Sequence, residues 1–178
     1  QKYQDEIKHI VSYQRRNHFI RKLTLDLKGN TLVLYNYVEK HGKPLYENIK
    51  QYSDDEDRKI FFVSGNTPAN DREAIRMIVE KQKNAIIVAS LGTFSTGINI
   101  RNLHNIVFAS PSKSQIRVLQ SIGRRLRKTD DGKDTTLYDI VDDISWKSRK
   151  NYGILHADER LRIYGREKFM HKTYKVQL

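Results

Sequence analysis

The chain has 178 residues, enough for one domain with a buried core and short for two. Its formal charge of +12 points to nucleic acid or another polyanion as partner. Cysteine is absent and no two of the six histidines are spaced H-x-x-x-H, which excludes a disulfide framework, a thiolate metal site and a helical zinc pair. No apolar run reaches the ~20 residues of a membrane span. Gln1 opens a polar stretch unlike a signal peptide, so the expected compartment is the cytoplasm. A start without methionine points to a processed chain or a fragment.

Apolar residues at Tyr3, Ile7, Ile10, Val11, Phe19, Ile20 and Leu23 predict one or two helices before a Gly29-Asn30 turn. Residues 31–35 (TLVLY) form a buried strand, followed by a helical stretch broken near His41-Gly42 and restarting at Pro44. Residues 60–64 form a second strand, and Asn70-Asp71-Arg72-Glu73 has the form of a capping box opening a helix to about Lys83. Further strands are predicted at 85–89, 106–109 and 136–141, with a helix over 114–128 and a turn at 130–133. From Ser145 to about Phe169 the chain reads as helix with an interruption at Gly153, and Tyr174 to Val176 as a last short strand. Strands that are apolar on both faces and alternate with helices mean a mostly parallel sheet covered on both sides, with its sites at the carboxyl ends of the strands.

Two segments carry chemistry. Residues 120–127 read Q-x-x-G-R-x-x-R: on a helix Arg124, Arg127 and Gln120 share one face, and two guanidiniums beside an amide suit a polyphosphate. Residues 90–100, rich in glycine and hydroxyls, are expected to be a loop whose N–H and hydroxyl groups can take phosphate oxygens. No G-x-x-x-x-G-K-[ST] occurs: Gly42-Lys43 is followed by Pro44 and Gly132-Lys133 by Asp134. Asp5-Glu6 follows no apolar strand and reads as helix surface rather than a magnesium pair.

With these segments the chain resembles the second, carboxyl-terminal RecA-like domain of superfamily-2 helicases. Residues 120–127 match that family's motif VI, residues 88–100 are similar to motif V, and 31–35 with Asn36 to motif IV. The phrasing of nearly the whole chain, including 137–143 (LYDIVDD) and the basic tail, is similar to the phage UvsW-type recombination helicases. The resemblance implies a RecA-like three-layer α/β/α domain over 29–145, a helical lead-in over 1–28 and a basic helical extension over 146–178.

It also implies roles. Arg127 would be the arginine finger reaching the γ-phosphate of ATP, with Arg124 as partner and Gln120 on the nucleotide or the attacking water. Gly97 and Asn99 would line the same cleft. Ser90 and Thr93 would hold a nucleic-acid phosphate, and Asn36, Gly65 and Arg72 would touch the strand backbone. Asn99 stands where many relatives carry aspartate, and Ser90 where threonine is common. ATP with Mg2+ would be gripped mainly by a preceding RecA-like domain, so this chain alone is expected to be inactive. The implied activity is ATP-dependent unwinding of branched DNA, including RNA–DNA hybrids: branch migration, fork regression and R-loop removal in recombination, repair and replication. A double-strand DNA translocase and a non-catalytic basic binding module are the alternatives. The tail's Lys147, Arg149, Lys150, Arg160, Arg162, Arg166, Lys168, Lys172 and Lys175 are expected to face DNA, while Trp146, Tyr152, Tyr164 and Tyr174 pack.

Overall fold

The computed structural model describes residues 2–97, 100–110, 112 and 132–178. Helices α1 (Lys2–Ser12) and α2 (Gln14–Asp26) lead into β1 (Thr31–Tyr35), a π-helical turn (Val38–Gly42) and α3 (Lys43–Gln51). Then come β2 (Ile60–Val63), α4 (Ala69–Glu80), β3 (Ile86–Ser90), α5 (Leu91–Gly97), β4 (Asn105–Phe108), β5 (Thr136–Asp139) and α6 (Tyr152–Arg166). The strands form one sheet in the order β2-β3-β1-β4-β5, every pair parallel. The central strand β1 is buried at all five residues, which is why its sequence shows no polar alternation.

Side-chain alternation sorts the strands into two cores. Leu32, Leu34, Ile87, Ala89, Ile106 and Phe108 face α4, α5 and α6 through Val79, Leu91 and Tyr164. Val33, Tyr35, Ile86, Val88 and Val107 face α2 and α3 through Ile20, Leu45 and Ile49. The result is the expected α/β/α sandwich. At the amino edge of the sheet, fully buried Asn30 ties the loops together: its Nδ2 donates to the carbonyls of Val79, Gln82 and Asn102, and its Oδ1 accepts from Ala85 N–H.

Several local expectations are corrected. The helix after β1 does not break at His41-Gly42. It widens into a π turn because Gly42 packs against the Tyr35 ring, where an added Cβ would sit 2.5 Å from Cε2. Asn70 lies inside α4, whose N-cap is Pro68 without a side-chain bond, and the helix stops at Glu80. The polar turn ahead of it is closed instead by Ser64 N–H donating to Thr67 Oγ1. The hydroxyl-rich stretch after β3 is a short helix, α5, rather than a loop. The final helix starts at Tyr152, not Ser145, and runs through Gly153 without interruption. It ends at Arg166 through Lys168 (φ 58°), with Phe169 N–H donating to Tyr164 O and Lys168 N–H to Gly165 O, a Schellman closure. Residues 174–176 form no strand and are exposed. The helix expected over 114–128 and part of the turn at 130–133 lie outside the described residues.

Candidate nucleotide and nucleic-acid interface

Because every strand runs the same way, the segments leaving them collect along one edge of the sheet. Tyr35 pairs with Ser90, and Val63 with Ala89, so the ends of β2, β3 and β1 are level. Gly65, Ser90 and Asn36 therefore stand at the carboxyl ends of three neighbouring strands, Ser90 at the last paired position and Gly65 and Asn36 just beyond it. Gly65 is exposed, with open space where a side chain would go. Arg72, on the first full turn of the helix that follows β2, has a buried Nε with no hydrogen-bond partner.

Ser90 and Thr93 meet directly, their hydroxyl oxygens 2.6 Å apart, and Ser90 Oγ also accepts from Thr93 N–H at 3.2 Å. This local cap, together with Leu91 buried in the core and Phe94 packed against it, turns a glycine-containing stretch into α5. Ser90 is half-buried and Thr93 buried. Gly97 closes α5. Asn99, Gln120, Arg124 and Arg127 lie outside the described residues.

Asn36 is positioned by a buried polar chain that sequence reasoning missed. Its N–H donates to Ser110 Oγ at 3.0 Å, and His41 Nδ1 lies 2.8 Å from the same oxygen. His41 Nε2 lies 3.0 Å from Asn17 Oδ1, whose amide is oriented by Nδ2 donating to Val11 O. With Asn17 Oδ1 as acceptor, the ring proton sits on Nε2 and Nδ1 accepts from the serine hydroxyl. Burial, helped by nearby Arg16, lowers the His41 pKa to about 3, so the ring is neutral at physiological pH. The one sequence signal was Ser110-Pro111-Ser112, two hydroxyls directly after an apolar strand.

Two buried ion pairs brace the same edge. Asp139, the last residue of β5, accepts from Arg160 Nε at 2.7 Å, Arg160 Nη2 at 2.9 Å and the Tyr164 hydroxyl at 2.7 Å. Arg160 is thus a structural cation, correcting its expected place in a DNA grip. Burial first, then the Asp139 charge, pushes the Tyr164 phenol above its ordinary value. Arg16, 1% exposed, donates from Nε to Asp142 Oδ1 at 2.6 Å, leaving Nη1 and Nη2 unpartnered. Glu6 also has a role beyond helix surface: its Oε2 accepts from Tyr152 N–H and its Oε1 from Gly153 N–H, capping α6.

Of the tail aromatics, Tyr164 is buried and Tyr152 meets Tyr3 edge to face, while Trp146 and Tyr174 are 75% and 78% exposed, contrary to expectation. Among the described residues no group of His, Asp and Glu side chains gathers into a metal-holding cluster, and no helix is long and apolar enough to cross a membrane.

Comparison with known proteins agrees with this architecture. The helicase conserved C-terminal domain family matches residues 14–129. The chain is 37% identical, over 99% of its length, to the ATP-dependent DNA helicase uvsW of Enterobacteria phage T4, and spans 37% of that protein. The crystal structure of T4 UvsW superimposes with a TM-score of 0.75 at 36% identity, covering 94% of this chain and 35% of that one. Two more distant structures share the fold at a TM-score of 0.51. They are the C-terminal part of the Fun30 ATPase domain, at 15% identity over 80% of this chain and 49% of that one, and Mss116p DEAD-box helicase domain 2 bound to an RNA duplex, at 17% over 80% and 52%. The parallel sheet between two helical layers is RecA-like, and the chain belongs to the helicase conserved C-terminal domain family.

Proposed function

We propose that this chain is the carboxyl-terminal motor domain of an ATP-dependent DNA helicase that remodels branched DNA. The observation that supports the reading is that Asn36, Gly65 and Ser90 stand at the carboxyl ends of three neighbouring parallel strands, with Thr93 bonded to Ser90 and Arg72 on the helix that follows β2. Three neighbouring strands end there in a backbone turn, a hydroxyl pair and an amide-bearing residue, and Arg72 adds a cation on the helix after β2. Such an array suits the phosphates of a nucleic-acid strand and makes no base-specific demand. The charge of +12 supports the same partner.

ATP would bind between this domain and a preceding RecA-like domain that supplies the phosphate loop and the Mg2+ ligands. The sequence between β4 and β5 carries Gln120, Arg124 and Arg127 and leaves the sheet at the same carboxyl edge. When ATP closes the two domains, Arg127 would meet the charge developing on the transferred phosphoryl group, with Arg124 beside it and Gln120 orienting water. Gly97 and Asn99 would line the cleft. Ser90 and Thr93, at the junction of β3 and α5, would couple nucleotide state to the grip on the strand. The substrates in this reading are Holliday junctions, stalled forks and R-loops.

Arg127→Ala in the helicase that carries this domain is the test. ATP turnover falls by about 10³–10⁵ while DNA affinity is kept. Unchanged turnover removes Arg127 from the finger role.

A further inference from the structure

The chain's single tryptophan stands on a turn built to display it. Trp146 and Arg149 form an isolated antiparallel bridge, Trp146 N–H donating to Arg149 O at 3.1 Å and Arg149 N–H to Trp146 O at 3.0 Å. Lys147, inside the turn, has φ 55°. The base of the turn is fastened by Asn151. Its Oδ1 accepts from Ile144 N–H and the Ser145 hydroxyl, and its Nδ2 donates to Asp142 O and Glu6 Oε1. Asp143 accepts from Ser145 N–H at 3.1 Å. The turn is thereby held from α1, from the segment after β5 and from the start of α6.

The side chain at its head nevertheless supports no core, being 75% exposed. A large apolar ring held in water by a fastened backbone is a preorganised recognition element rather than a packing residue. Lys147, Arg149 and Lys150 follow it in the same turn and are exposed; Lys150 also pairs with Asp158 at 2.8 Å. Of the nearby acids, Asp142 pairs with Arg16, Asp143 accepts from Ser145 N–H, and Asp158 pairs with Lys150. An exposed aromatic ring on a turn that also carries exposed cations matches a base attached to phosphates, whereas an apolar protein partner would gain nothing from the cations.

We propose that the Trp146 turn is a stacking platform for an unpaired base, with Lys147 and Arg149 on the flanking phosphates. This rests on the nucleic-acid reading above and adds to it a contact outside the strand-end array.

Because Trp146 is the only tryptophan, its emission reports this ring alone. The 178-residue chain is titrated with an oligothymidylate of about 15 nucleotides, following tryptophan emission and, in parallel, the anisotropy of a labelled copy. Emission is expected to be quenched over the same concentration range in which anisotropy rises, and more by the single strand than by a duplex. Trp146→Ala weakens binding about ten-fold with an unchanged salt slope, and Trp146→Phe restores most of it. Salt-dependent anisotropy with constant emission, or a Trp146→Ala chain of undiminished affinity, overturns the stacking proposal and leaves the nucleic-acid reading standing. No binding in either channel at low salt overturns both.

Discussion

Removing Asp139 tests how the last helix is fastened to the sheet. Arg160 is 3% exposed and its fork meets both carboxylate oxygens, at 2.7 and 2.9 Å. Asp139→Ala strands that guanidinium without an anion, at a cost of about 3–5 kcal/mol. It also takes the acceptor from the buried Tyr164 hydroxyl, worth about 1–3 kcal/mol. The two losses share one network and do not add, so a total of about 4 kcal/mol is expected. For a chain of this length about 1 kcal/mol moves the melting temperature by roughly 2–4 °C, which gives a drop of about 8–16 °C. Urea unfolding at pH 7 and thermal circular dichroism measure it. Arg160→Met costs less, because Asp139 keeps its Tyr164 bond and some solvent, and the double variant lies nearer to Arg160→Met than to the sum. A cost below about 1 kcal/mol for Asp139→Ala, the worth of a solvated pair, would show that this contact does not hold α6 to β5.

His41 sets a pH dependence. Its folded pKa is lowered to about 3 from 6.5, so below pH 6.5 the unfolded chain takes up a proton that the folded chain refuses. The stabilisation is complete above pH 6.5 and is lost as pH falls toward 3, about 2 kcal/mol of it by pH 5. Urea unfolding at pH 7 and pH 5 should show that loss, and His41→Gln should flatten it; equal slopes in the two chains would contradict a buried neutral ring. Gly42→Ala places a methyl 2.5 Å from the ring of fully buried Tyr35. It should cost about 1–3 kcal/mol by overpacking; an effect within about 0.5 kcal/mol, the range of ordinary surface changes, would mean that the π turn relaxes freely.

The sheet was legible because each central strand is apolar on both faces, a pattern that only a covered parallel sheet explains. What escaped was decided by partners distant in sequence or by small caps. Two glycines and three hydroxyls predicted a loop after β3, yet Ser90 caps α5 while Leu91 buries in the core and Phe94 packs against it. Arg160 read as one more tail cation; a carboxylate at the end of an apolar strand, Asp139, was the signal that it had a buried counterpart. Glu6 looked like surface because the backbone it caps lies some 150 residues away in the chain, at Tyr152 and Gly153. Of the candidate site, Asn36, Gly65, Arg72, Ser90 and Thr93 can be placed around one sheet edge. Asn99, Gln120, Arg124 and Arg127 are carried by motif alone.

The central claim is that this chain is half of a motor, and ATP hydrolysis by the purified 178-residue chain, with and without forked DNA, tests it most directly. The account predicts no turnover under either condition, alongside DNA binding that weakens steeply with salt. Clear DNA-stimulated turnover would mean that the chain holds a complete phosphate-binding site of its own, and the two-domain mechanism would fall.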